Sequence, residues 1–268
     1  MTLQPVAIKR SALELLSGTF RSLRHRNYRL FFFGQLISLI GTWLQNTALA
    51  WLVWSLTKDA MTLGIMGFLG SIPVLFLSIF AGTVADENPK RSILVITQSA
   101  AGLRSLLIAF AIWSNSVTIL ILGIANLLLG VINAFDMPTR QAFVVEMASK
   151  EDVTNAVALN SSVFNSARLI GPALGGYIIY ALSIGMCFFL DGLSYIAVIA
   201  GLLLMRFDKV IVRKRPPEES RMSAMKEGIQ YLYSVPHFRA LMFLVIGMTL
   251  FGWSYTINLP IVAGATLQ

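Results

Sequence analysis

The chain is short of charge. Only 13% of its 268 residues are Asp, Glu, Lys or Arg, where soluble domains carry about 25%. That shortage excludes an ordinary water-solvated globule. Cysteine is nearly absent as well: the lone Cys187 forms no intrachain disulfide, leaves the redox compartment open, and reads as a small packing residue. The two histidines, His25 and His237, lie in basic flanks. There is no Cys pair, no His-Glu metal spacing and no Gly-Lys phosphate loop. These absences leave no cofactor or metal to expect and no enzyme; nucleotide hydrolysis within the chain is excluded, though a separate nucleotide-binding partner is not.

What is present is apolar. Hydrophobic residues make up 56% of the chain and fall into seven runs, at about 30–56, 62–85, 92–113, 117–135, 156–180, 185–205 and 240–264. Each approaches or exceeds the roughly 20 residues that a helix rising about 1.5 Å per residue needs to cross about 30 Å of hydrocarbon. A transmembrane barrel requires alternating segments of about ten residues, and stretches such as Leu75 to Ala81 do not alternate. Helices are the remaining spanning solution, so the expected fold class is an all-α membrane protein. The first run is too long for the core of a signal peptide and reads as a retained span.

The net charge of +8 raises nucleic acid as a partner, and its distribution rejects it in favour of the lipid bilayer. If residues 1–29 are cytoplasmic, the segments 86–91, 136–155 and 206–239 share that side. Of 21 Lys and Arg, only Lys58 then falls outside, with Arg104 and Arg168 inside spans. The positive-inside rule predicts a multi-pass inner-membrane protein with a cytoplasmic N-terminus.

Residues 11–29 place Leu13, Leu16, Phe20 and Leu23 at helical spacing among arginines, which fits either an amphipathic helix on the inner leaflet or a plain basic flank. Residues 206–239 form the one long polar stretch, broken by proline at Arg213 to Pro217, with Met222, Met225, Ile229 and Leu232 on one helical face. We read it as a cytoplasmic linker containing an amphipathic helix. Shifting the chain by 210 residues superposes Tyr28-Arg29 on Phe238-Arg239, Phe33 on Phe243 and Trp43 on Trp253. A parallel repeat would make residues 240–268 the first helix of a second bundle whose completion needs roughly 150–200 further residues. A seven-span protein is the alternative.

Two motifs carry mechanism. The first is Gly82-Thr-Val-Ala-Asp86-Glu87-Asn88-Pro89-Lys90-Arg91, between the second and third runs. It resembles the short cytoplasmic signature of the major facilitator superfamily, with Glu87 and Pro89 standing where that family usually has a basic residue and a glycine. The resemblance implies a conformational latch built from Gly82, Asp86, Lys90 and Arg91, with Asp136 as a further member; a plain charged turn is the competing reading. The second is Ala167-Arg168-Leu-Ile-Gly171-Pro172-Ala-Leu-Gly175-Gly176. It resembles the glycine-proline motif of exporters and antiporters in the same superfamily. Gly171 and Gly175 supply a smooth helix face and Pro172 permits a bend, although such faces also serve packing alone.

Together with Phe135-Asp-Met-Pro138-Thr-Arg140-Gln141, Asn155-Ala-Val-Ala-Leu159-Asn160 and Phe164-Asn165, these strings resemble the subgroup containing the enterobactin exporter and macrolide-efflux proteins, from about Phe20 to Pro260. The resemblance implies a cytoplasmic segment 1–29, an N-terminal six-helix bundle 30–205, a linker 206–239, and an incomplete C-terminal bundle at 240–268. It also implies a secondary active exporter of a small amphipathic compound, a siderophore or a drug, driven by protons through alternating access. A membrane scaffold or lipid-handling subunit, or an inactive truncated fragment, are the alternatives.

Charges inside spans are costly and face a cavity or a partner. Arg104 and Arg168 lie about 18 Å, and Asp191 about 9 Å, from the ends of their runs at about 1.5 Å per residue. With Gln35, Gln45 and Asn46 of the first run they are candidates for the substrate or proton pathway. Stitching of helices through carbonyls and amides competes for both arginines. The first run carries no acidic residue, which leaves the proton carrier open.

Overall fold

The computed structural model describes residues 20–148, 151–207, 230–231 and 233–248. Among the described residues a 3-10 turn at Arg21–Arg24 leads into α1 Arg26–Thr57, α2 Ala60–Glu87, α3 Lys90–Trp113, α4 Ile119–Met147, α5 Val153–Ala181, α6 Ile184–Leu204 and α7 Pro236–Gly247. No strand occurs among the described residues.

Among the described residues five helices are long and apolar enough to cross a membrane: α1, the Ala60–Ser78 part of α2, α3, α4 and α6. Helix α5 has the length, 29 residues, but Asn160, Ser161, Ser162, Asn165 and Arg168 interrupt its apolar stretch, and it is not among the five. Of the seventh apolar run, only α7 lies within the described residues. The remainder of 240–264, most of the 206–239 linker and residues 11–19 lie outside them.

The helices outrun several of the apolar segments. The stretch 136–155, expected as a loop, instead continues α4 through Pro138 as far as Met147. It does so because Asp136, Thr139, Phe143, Val144 and Met147 recur at helical spacing and are all buried. Helix α1 likewise begins at Arg26, and residues 20–25 form a clasp. Arg21 and His25 both bind the Asp152 carboxylate, the His25 contact at 2.8 Å. The Ser22 hydroxyl donates to Asn155 Oδ1 at 2.7 Å.

Packing runs in the order α5, α1, α6, α3, α4, α2, so sequence neighbours are rarely spatial neighbours. Missing side chains allow the closest approaches. A Cβ on Gly34 of α1 would sit 3.1 Å from Val198 Cα of α6, and one on Gly130 of α4 would sit 2.5 Å from the Gly70 carbonyl of α2. Three apolar clusters result among the described residues: a small one of Leu39, Val163 and Ala167 between α1 and α5, and two larger ones. One, at the basic end, joins Tyr28, Phe31, Leu94, Phe143, Val198 and Leu202. The other, at the opposite end, joins Leu49, Trp54, Met66, Ile108, Leu122 and Phe188.

Candidate functional site

Between the two larger clusters lies a polar layer. On α1 it falls between Phe31 and Leu49, on α3 between Leu94 and Ile108, on α4 between Leu122 and Phe143, and on α6 between Phe188 and Val198. Those intervals hold the buried side chains of Gln35, Ser38, Gln45, Thr97, Gln98, Arg104, Ser105, Asn126, Asp136, Thr139, Asp191 and Ser194. In a bilayer such groups must satisfy one another.

Arg104, 6% exposed, ties three helices together. Its Nε donates to the Ala125 carbonyl at 2.9 Å, Nη1 to Gln45 Oε1 at 3.2 Å and Nη2 to Asn126 Oδ1 at 3.4 Å. Asn126 passes the connection on, donating through Nδ2 to the Met66 carbonyl at 2.8 Å. On the adjoining position of α3, the Ser105 hydroxyl donates to Asp191 Oδ2 at 2.8 Å. Asp191 is fully buried. It fits because residue 41 is glycine: a Cβ there would meet Ser194 Oγ at 2.6 Å and Asp191 Oδ1 at 3.1 Å.

A second network centres on Asp136, 1% exposed. Its Oδ1 accepts from the Thr97 hydroxyl at 2.8 Å and from Gln98 Nε2 at 2.7 Å, and its Oδ2 accepts from Arg140. Arg140 in turn donates to Gln35 Oε1 at 2.8 Å. The layer is not saturated: Gln45 Nε2, Gln98 Oε1, Arg140 Nε and Asp191 Oδ1 are buried without a hydrogen-bond partner. Buried groups left so are costly and mark places where a proton, water or ligand changes the energy most.

The structure therefore brings Gln45 together with Arg104, sets Asp191 on the Ser105 beside it, and puts Gln35 in the Asp136 network. Asn46 is exposed on another face of α1. Arg168 is half-buried, its guanidinium 5.8 Å from the Trp43 ring. Thr97, Gln98, Ser105 and Asn126 went unread in the sequence, and Arg140 was read only as part of the string from Phe135 to Gln141. Isolated polar residues in apolar runs have no spacing of their own, and Arg140 fell in an expected loop.

The motif residues separate. A Cβ at Gly171 would lie 2.4 Å from Trp43 Cβ and one at Gly175 3.3 Å from the Leu44 carbonyl, so both glycines seat α5 on α1 across Pro172. Gly176 and Gly82 have nothing within 4 Å of such an atom. Asp86 is exposed and makes no ion pair with a described residue. Lys90 pairs with Glu146 of α4, and Arg91 donates to the Leu203 carbonyl at 2.8 Å at the end of α6. The hydrogen bonds of Asp136 go to Thr97, Gln98 and Arg140, none of them in that motif. Among the described residues no three His, Cys, Asp or Glu side chains are grouped to hold a metal.

Comparison with known proteins gives a consistent result. A family described as transmembrane secretion effector matches residues 17–268. The staphyloferrin A transporter of Staphylococcus aureus is 29% identical over 234 residues, covering 87% of this chain and 58% of its own. The multidrug efflux pump Tap of Mycobacterium tuberculosis is 24% identical over 79% of this chain and 52% of its own. Multidrug resistance protein 1 of Bacillus subtilis is 26% identical over 68% of this chain and 44% of its own. The chain spans about half the length of these curated relatives.

Proposed function

We propose a function from one premise: the chain belongs to the transmembrane secretion effector family of major facilitator transporters. Residues 30–205 form the N-terminal bundle of a secondary active exporter that moves a small amphipathic compound by alternating access. The polar layer is the observation that carries this reading. A bundle needing only to stand in lipid gains little from Arg104, Asp136, Arg140 and Asp191 in its interior, because each is expensive there unless matched. A bundle that must exchange partners as it rocks uses such groups.

Protons are the proposed coupling ion, with Asp191 as the carrier. Its Oδ1 has no partner, so a proton added there neutralises the carboxylate without breaking the Ser105 contact to Oδ2. Loss of that charge beside Arg104 alters the interaction that holds α3 against α6. The basic end is proposed as cytoplasmic, supported by the asymmetry of Lys and Arg. Gly82, Asp86, Lys90 and Arg91 are proposed as a latch in which Asp86, exposed here, engages the other half of the complete transporter. Siderophore and drug substrates are proposed from the relatives' names.

The test is flux. Proteoliposomes containing the protein, loaded with staphyloferrin A or with a fluorescent lipophilic drug, should show transport that depends on a pH gradient and stops with an uncoupler. D191N should keep its fold and lose that dependence. Transport indifferent to both changes contradicts the proposal. Because the chain spans about half of its relatives, a second reading is that flux requires the unmatched half; the 268-residue chain then stays inactive when reconstituted alone.

A further inference from the structure

A cleft of about 600 Å³ opens at the basic end between the start of α3, the end of α4 and the end of α6. None of the polar layer lines it. Its rim carries Lys90 and Arg91 with Glu146 opposite, and its floor is Val95, Phe143, Leu203 and Phe207. It is thus cationic where it meets the polar boundary of the bundle and greasy below. From its lip, Ile96, Leu103, Leu107 and Phe110 run along α3, each more than half exposed. They recur at helical spacing and make an apolar track leading away from the rim.

We propose that this cleft binds one anionic phosphoglyceride from the bilayer, with the phosphodiester at Lys90 and the start of α3 and an acyl chain laid over Ile96 and Leu203. Three observations support that occupant. The ionised groups of the rim, Lys90 and Arg91 against Glu146, sum to one positive charge, which a singly charged phosphodiester complements. No side chain caps the N-terminus of α3, and the residues of that first turn, Lys90, Arg91 and Ser92, line the cleft at the positive end of the helix dipole. The track on α3 matches a chain rather than a compact solute: it is linear and apolar and begins at the rim. Arg91 is partly committed, since it donates to the carbonyls of Leu203 and Met205. Lys90 is therefore the movable cation, and its contact with Glu146 is one that a phosphate can replace.

The experiment uses the whole chain in detergent. The protein is exposed to mixed micelles of phosphatidylglycerol, phosphatidylethanolamine or phosphatidylcholine at equal mole fraction, and retained lipid is counted by native mass spectrometry. One phosphatidylglycerol per chain is expected, in preference to the other two. A basic side chain near an anionic lipid is worth about 1 kcal/mol, or about fivefold. Lys90→Gln should then reduce retention by about fivefold and Glu146→Gln should raise it by a similar factor, both with unchanged helicity. Should Lys90→Gln fail to fold, Glu146→Gln decides alone, its partly exposed side chain making it the safer change. Equal retention of the three lipids, no response to Glu146→Gln, or displacement of the lipid by millimolar inorganic phosphate overturns the proposal. The last outcome would reduce the cleft to a simple anion site.

Discussion

Replacing Gly171 by alanine tests the seating of α5 on α1 with a predictable magnitude. The added Cβ would sit 2.4 Å from Trp43 Cβ, 3.1 Å from the Ile40 carbonyl oxygen and 3.2 Å from the Leu44 nitrogen. Carbon atoms in contact rest about 3.5–4.0 Å apart, so the helices must separate by about 1 Å. None of the three obstructing atoms is the flexible end of a side chain. Overpacking of this kind costs about 1–3 kcal/mol, against a gain of about 0.8–1 kcal/mol from replacing glycine inside a helix. G171A should therefore lose up to about 2 kcal/mol. G175A, whose nearest obstacles are at 3.3 Å, should be close to neutral, and G176A, with open space around it, should gain up to about 1 kcal/mol. Reversible unfolding in mixed micelles, followed by circular dichroism, measures all three. If G171A is as stable as G176A, the close contact between α1 and α5 is wrong.

Further outcomes follow from the polar contacts. Arg104→Met removes donors to Gln45, Ala125 and Asn126 and should cost about 3 kcal/mol by the same unfolding measurement. D191N keeps an acceptor for Ser105 and should unfold near the wild-type midpoint while proton-dependent flux disappears. A double-mutant cycle on Lys90, whose side chain is mostly covered, and the exposed Glu146 should give a coupling on the order of 1 kcal/mol that shrinks as salt is added. Asp59 caps α2: the Thr62 hydroxyl and the N–H groups of Thr62 and Met61 hold its carboxyl below the ordinary value. A depressed carboxylate stabilises the fold above its unfolded value of about 3.9 and loses that contribution as pH falls further. The wild type should therefore weaken below about pH 4 more steeply than D59N, and identical acid profiles would contradict the cap.

The helices were legible because lipid leaves one backbone solution and their apolar runs are long. Their ends were not. Asp136, Pro138 and Arg140 read as loop chemistry, yet the buried side of that segment, from Asp136 to Met147, keeps α4 helical. Arg104 and Asp191 stood out because a charge in hydrocarbon needs a reason. Their partners Ser105 and Asn126 did not, since a lone serine or asparagine in an apolar run looks the same whether it faces lipid or an arginine. Gly171 and Gly175 announced a close contact, and only three dimensions identify α1 as the helix they meet. Lys90 was read only as a member of the motif from Gly82 to Arg91, whereas its counterion, Glu146, comes from α4, 56 residues away.

The most direct measurement is sidedness. Single cysteines at Ser116, between α3 and α4, and at Asn88, between α2 and α3, sit at opposite ends of the same helix, and the native Cys187 is buried. In intact bacterial cells a membrane-impermeant maleimide should label S116C at once and N88C only after permeabilisation. Equal labelling of the two in intact cells, or the reverse order, would contradict a bundle that crosses the membrane with its basic end inside.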